Sequence, residues 1–232
     1  MPVFNIYEPA DILYVATIAL FVISLIASGV VQSRFRRYSR RAASCGLTGV
    51  EVADRMLRAN GIHNVTIYQI GGTLTDNYNP VRHTLNLSQA VCNQASVSAI
   101  AVAAHECGHA IQNAKHYPLL MIRKALVPVC NIGSMGSYAA ILLGMIFSKT
   151  EFIQFGALLF SGIVLFNFIT LPVEINASRR AMSELDRMGI LAADEKRGCE
   201  KVLFAAAMTY FISLVTSIVQ LLRLLAIANR RR

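Results

Sequence analysis

The stretch Ala104-His105-Glu106-Cys107-Gly108-His109, entered through a run of small and apolar residues from Ser96, carries the pattern His-Glu-x-x-His on a helical sequence. Four residues make slightly more than one helical turn, so His105 and His109 project side by side from one face. Two imidazole nitrogens so placed reach one metal ion at the roughly 2.0–2.1 Å that a zinc–nitrogen bond needs. Glu106 lies about 100° further round the helix, beside the ion rather than on it. There it is placed to take a proton from a water whose pKa the metal lowers to roughly 7. The pattern describes metal-assisted hydrolysis, most often of a peptide bond. Cys107 points to the opposite face and reads as core packing. Gly108 lies near the histidine face, where a missing side chain lets another segment approach closely.

Outward from this helix, the chain is too apolar for an ordinary soluble domain. Of its 232 residues 55% are hydrophobic and none is Trp, and the mean hydropathy is +0.50. Four segments, Ile12–Val31, Ala125–Phe147, Phe152–Val173 and Val202–Leu222, are long and apolar enough to cross a bilayer or nearly so. The first is led by Glu8 and Asp11 rather than by basic residues, so it reads as an anchor and not a cleaved signal peptide. The second holds Pro128, Asn131, Ser134, Ser137 and three glycines, which suits a helix packed against other helices.

The net charge of +9 sits at span ends: Arg34, Arg36, Arg37, Arg40 and Arg41 follow the first span, and Arg230, Arg231 and Arg232 follow the last. Such clusters orient membrane proteins, and the Arg34–Arg41 stretch reads as an anchor to lipid headgroups. No recognition motif accompanies them, so no nucleic-acid partner is expected. Five cysteines without a Cys-x-x-Cys pair point to a reducing compartment. The positive-inside rule agrees, placing the N-terminus outside and the Arg34–Arg41 cluster in the cytoplasm. Spans two and three then form a hairpin through Ser148–Glu151. Span four would carry Arg230–Arg232 outside, against the rule, unless it does not cross fully.

Between the first two spans, Thr48-Gly-Val-Glu51 is a capping box that opens a helix over Gly49–Asn60, closed by Gly61. Val65–Ile70 alternates and is β-branched, which predicts a strand. Asp76-Asn77-Tyr78-Asn79-Pro80 marks a turn or loop, His83–Leu87 a second strand, and Ser88 or Ser96 a helix start. Two strands beside the metal helix have two uses: an edge that holds an extended peptide by its backbone, or a hairpin that only covers the helix.

A catalytic zinc needs a third protein ligand and an open position. His63, His83, His116 and several carboxylates are available. Glu174 stands out because it follows the apolar segment ending in Pro172 and begins an amphipathic stretch. Glu174-Ile-Asn-Ala177 resembles the Glu-x-x-Ala helix that donates the third ligand in gluzincins. As an isolated residue, Glu174 reads first as a solvated glutamate favoured by a helix dipole; with the histidine pair present, the ligand reading is preferred.

The chain as a whole resembles the YugP-like family of membrane-bound neutral zinc metallopeptidases. The resemblance rests on Leu47-Thr-Gly-Val-Glu-Val-Ala53, Gly72-Thr-Leu-Thr-Asp-Asn-Tyr-Asn-Pro80, Ala101-Val-Ala-Ala-His-Glu-Cys-Gly-His-Ala-Ile-Gln112, Leu171-Pro-Val-Glu-Ile-Asn-Ala-Ser-Arg-Arg-Ala181 and Ala206-Ala-Met-Thr-Tyr210. It implies His105, His109 and Glu174 as zinc ligands, Glu106 as general base, membrane attachment and peptide hydrolysis, in a bacterial plasma membrane. Where the family pattern often has Asp-His-Tyr-Asp-Pro, this chain has Asn77 and Asn79, and where it often has Asp after the glutamate, this chain has Asn176. An amide holds a ligand histidine less strongly than a carboxylate does, so metal affinity or rate is expected to be lowered if Asn176 or Ser178 accepts its outer N–H. Tyr78, Arg179 and Tyr210 are candidates for stabilising the oxyanion.

The expectation is therefore an α-rich integral membrane protein, with about four transmembrane helices and a small cytoplasmic α+β zincin-like domain. Its parts are an anchor at 1–32, the zincin-like domain at 33–124, a transmembrane hairpin at 125–173, a cytoplasmic helix with the third ligand at 174–201, and a last span with a basic tail at 202–232. Expected partners are a peptide or protein substrate, the lipid bilayer, and another membrane protein if the chain is instead a non-catalytic zinc-binding adaptor.

Overall fold

The computed structural model describes residues 9–230, so Glu8, Arg231 and Arg232 lie outside the described residues, as does the side chain of Arg230. Helices dominate: α1 (Pro9–Ser39), α2 (Gly49–Ala59), α3 (Gln89–Cys92), α4 (Val97–Ala114), α5 (Pro118–Ile146), α6 (Thr150–Arg187) and α7 (Ala193–Arg230). Three short strands interrupt them: β1 (Thr66–Ile70), β2 (Asn77–Asn79) and β3 (Thr84–Ser88). Four helices, α1, α5, α6 and α7, are long and apolar enough to cross a membrane. They outrun the predicted spans because polar, amphipathic turns continue the same helices: α6 passes through Pro172 and carries Glu174 inside one rod.

The chain divides into two compact units. One takes in residues up to 27, together with 122–171 and 209 onward. Its helices pack through small residues, as the glycines of the second span predicted. Ser137 on α5 donates to the Gly156 carbonyl of α6 at 2.8 Å, and a Cβ at Gly156 would lie 3.1 Å from the Ser137 carbonyl oxygen. Ala157, Phe160 and Leu224 form a buried cluster, and the Arg223 guanidinium stacks over the Tyr14 ring at 4.7 Å.

The other unit, Ser28–Met121 with Pro172–Met208, is built around α4. Ser96 caps α4 by accepting from the Ala99 amide at 3.3 Å. His116, at φ +49°, ends it in the left-handed position usually given to glycine, while the Tyr117 amide reaches back to the Gln112 carbonyl at 2.9 Å. Pro118 then starts α5. One face of α4 packs on α2, where Val52, Ala53 and Met56 meet Ile100, Cys107 and Ile111 in a fully buried core. The predicted capping box of α2 is present in both directions between Thr48 and Glu51, and Gly61 has φ +69°. All five cysteines are free.

The sheet differs from the expected pair of strands. Its order is β1-β3-β2, with β1 parallel to β3 and β2 antiparallel to it. The Asn77–Asn79 stretch, read as turn or loop for its polar residues, is an edge strand. Its amides serve strand pairing, with Asn86 donating to the Asn77 side chain at 2.9 Å. The turn comes one step later, where Asn79 Oδ1 accepts from the amides of Val81 and Arg82. His83 closes that turn at φ +52°.

Candidate metal centre

His105 and His109 leave α4 on one side, as four-residue spacing requires, with ring centroids 4.8 Å apart and planes at 83°. Facing them is a stripe of α6: Glu174, Ala177, Ser178 and Ala181, at helical spacing. The helices come close because Gly108 has no side chain; a Cβ there would fall 2.4 Å from the Ala177 carbonyl oxygen. Small residue on small residue is what allows the Glu174 carboxylate to reach both rings. Its Oε2 lies 3.2 Å from His105 Nε2 and 3.4 Å from His109 Nε2. Donor atoms of His105, His109 and Glu174 all lie within 4.8 Å of one another, and this is the one such trio among the described residues.

These separations allow a test of fit. Three ligands on a tetrahedral ion with bonds of roughly 2.0–2.1 Å stand about 3.3 Å from each other. Two of the three edges match that figure. Two imidazoles and a carboxylate are also a donor set that zinc accepts, and the carboxylate offsets half its charge. His63 and His116 are exposed and His83 is half-buried; none joins the trio.

Both ring nitrogens that face away from Glu174 are engaged. His105 Nδ1 meets Ser178 Oγ at 3.1 Å, and His109 Nδ1 meets Gln112 Oε1 at 3.0 Å. Gln112, wholly buried, donates to the Val173 carbonyl at 2.8 Å and to Asn176 Oδ1 at 3.0 Å. Asn176 thus touches neither histidine and instead holds the residue that holds one. Gln112 was missed in the sequence, although its position seven residues after His105 and three after His109 puts it on their face.

Glu106 is buried beside the trio, 8% exposed. Burial pushes its carboxyl up to about 7; His105 opposes the rise, Glu174 and Asp76 add to it, and the Tyr78 backbone amide, hydrogen-bonded to the carboxylate, lowers it. Such a group is poised to exchange protons near neutral pH. Tyr78 is therefore tied to α4 twice, since its phenol oxygen also accepts from Asn113 Nδ2 at 3.1 Å. Asp76, next along, accepts from the Ser88 amide and hydroxyl at 2.6 and 3.1 Å, and burial holds its carboxyl above its usual value. Cys107 faces away as predicted, wholly buried with Sγ against the Ala53 carbonyl, and burial pushes its thiol up. Of the oxyanion candidates, Arg179 is exposed and Tyr210 is half-buried on α7 in the other unit.

A family model described as "Putative neutral zinc metallopeptidase" matches residues 13–229. The chain belongs to this family. A curated relative, "Putative membrane protease YugP" of Bacillus subtilis (strain 168), is 42% identical over 211 residues, covering 91% of this chain and 94% of the relative. No solved structure gives a significant match. As a member of the zinc metallopeptidase family with four helices of membrane-spanning length, the chain combines the two properties that its composition and its histidine motif predicted separately.

Proposed function

We propose that this metallopeptidase-family member is a multi-pass membrane protease. In this reading His105, His109 and Glu174 hold one zinc ion and Glu106 is the general base. The observation that carries the reading is the pair of separations from Glu174 Oε2 to the two Nε2 atoms, 3.2 and 3.4 Å, which match the roughly 3.3 Å between ligands that a tetrahedral zinc ion would require. Zinc held by His105, His109 and Glu174 would supply a Lewis acid for the scissile carbonyl and would lower the pKa of the attacking water. Glu106 takes the proton of that water and later returns one to the leaving amine; a carboxyl raised to about 7 suits both steps. The Tyr78 amide orients the Glu106 carboxylate during both.

Strand β2 binds substrate in this reading. It is an edge strand, paired with β3 on one side, and an extended peptide laid along it would bind by the backbone groups that Glu106 does not take, with little demand on sequence. The arginines that end α1, read by the positive-inside rule, support a reading in which residues 33–124 and 174–201 face the cytoplasm. Peptides or proteins reaching that face are the substrates.

The test compares detergent-purified wild type with Glu106→Gln for metal content and for cleavage of unfolded casein. One zinc in each, with cleavage in the variant lower by about 10²–10⁴-fold, is the expected result. A variant that cleaves at the wild-type rate removes Glu106 as base, and absence of metal from both proteins removes the centre itself.

A further inference from the structure

We propose that Gln112 is a positioning residue for His109. It dictates which imidazole nitrogen faces the metal position before any metal arrives, and Asn176 and Arg180 lock it in place. The inference rests on the metal-site reading above and adds a device for holding that site without a second carboxylate.

The two ends of the Gln112 amide are distinguished by their partners. A backbone carbonyl can only accept, so the group 2.8 Å from the Val173 oxygen is the NH2. Asn176 gives the same answer independently. Arg180 Nε, a donor only, lies 2.7 Å from Asn176 Oδ1, which makes that atom the oxygen. The Gln112 atom 3.0 Å from it must then donate. With both sides fixed, the atom 3.0 Å from His109 Nδ1 is the Gln112 carbonyl oxygen. It accepts only, so Nδ1 carries the proton.

A neutral imidazole has one N–H. With the proton on Nδ1, His109 Nε2 presents a lone pair toward Glu174 Oε2 at 3.4 Å. In that tautomer the Nε2 lone pair and the Glu174 carboxylate converge on the position where a metal ion would sit. His105 is held differently. Its Nδ1 partner, the Ser178 hydroxyl at 3.1 Å, rotates to donate or accept and so imposes no tautomer. His109 is set by the protein, whereas His105 adapts when the metal binds.

The outer end of the relay is tied down as well. The Arg180 guanidinium lies 5.9 Å from the centroid of the Tyr117 ring, and the Tyr117 amide bonds the Gln112 carbonyl at 2.9 Å. Gln112 is thus fixed through both backbone and side chain. An aspartate at 176 would accept the same two bonds; the asparagine achieves this without adding negative charge beside Glu174.

The experiment uses the full chain in detergent, with its histidines ¹⁵N-labelled and its metal removed by a chelator. The His109 signals are assigned by difference from His109→Asn. Zinc affinity is measured separately by competition with a chromogenic chelator. Metal-free wild type is expected to show His109 as one tautomer, protonated on Nδ1. Gln112→Met, close in size but without an acceptor, is expected to lose that tautomer and to bind zinc about 10–100-fold more weakly. Asn176→Asp is expected to retain both properties. Wild-type His109 protonated on Nε2, or a Gln112→Met protein with unchanged tautomer and affinity, overturns the inference. If Gln112→Met does not fold, Asn176→Ala carries the test: a smaller loss in the same direction supports the relay, and no change overturns it. Wild type that binds no zinc removes the metal-site reading, while the metal-free tautomer still decides the role of Gln112.

Discussion

Gly108→Ala probes the contact on which the whole centre depends. A Cβ at 108 would sit 2.4 Å from the Ala177 carbonyl oxygen, 3.0 Å from its carbon and 3.2 Å from its Cα. These are backbone atoms, so no side chain can rotate away. The shortfall from ordinary contact is about 1 Å, and α4 and α6 must separate by about that much to relieve it. Alanine gains about 1 kcal/mol of helix propensity over glycine, while overpacking of this kind costs about 1–3 kcal/mol. The expected net effect on the metal-free fold is therefore small, between neutral and about 2 kcal/mol destabilising. The effect on the site is large, because Glu174 is three residues from Ala177 on the same helix and moves with it. Misplacement by about 1 Å can lower a rate about 10²-fold, and zinc affinity should fall alongside. Thermal unfolding of the metal-free protein and chelator competition for zinc separate the two effects. Unchanged affinity together with unchanged stability would refute the close approach of α4 to α6.

Glu174→Ala should abolish stoichiometric zinc binding; retention of one zinc per chain would return the choice of third ligand to His63, His83 or His116. Acidification should release the metal, because protons compete with it for the ligand atoms, measurable as metal loss on dialysis against buffers of falling pH. Asp76→Asn isolates a half-buried carboxylate outside the ligand trio. Because the folded-state value of Asp76 is raised by burial, its favourable contribution is complete below the unfolded value of about 3.9 and is lost as pH rises through the folded value. Unfolding temperature of metal-free wild type relative to Asp76→Asn should therefore fall as pH rises from about 4, and a pH-independent difference would refute the assignment.

The elements that were legible in the sequence are those whose signals are local. The Thr48–Glu51 box, the Ser96 cap and the helical spacing of His105 and His109 each depend on residues within one or two turns. Strand β2 was not legible, because the polar residues that suggest a turn there find distant partners: Asn77 pairs with Asn86 of the neighbouring strand and the Tyr78 phenol with Asn113 of α4. The parallel pairing of β1 with β3 was hidden for the same reason. It needs the intervening Gly71–His83 segment to cross over and supply a third strand, a choice made by packing on α4. Pro172 misled in another way. In isolation it reads as the end of a helix, yet α6 continues through it, carried by apolar turns before and by the Glu174–Leu185 stripe after.

The centre shows the same division between spacing and partnership. Spacing alone placed two ligand candidates and the neighbouring carboxylate, and a resemblance to a known helix pointed to Glu174. What spacing could not reveal was how the rings are held. Asn176 looked like a weakened contact to a histidine, an amide where a carboxylate is common. The geometry gives it a different role. Its oxygen receives one bond from Arg180 and one from Gln112, and either an amide or a carboxylate can do that. The departure from the family pattern therefore falls one residue further from the metal than the sequence implied. Its effect on affinity is expected to be correspondingly small, whereas Gln112, which the sequence left unremarked, is the amide on which the orientation of His109 depends.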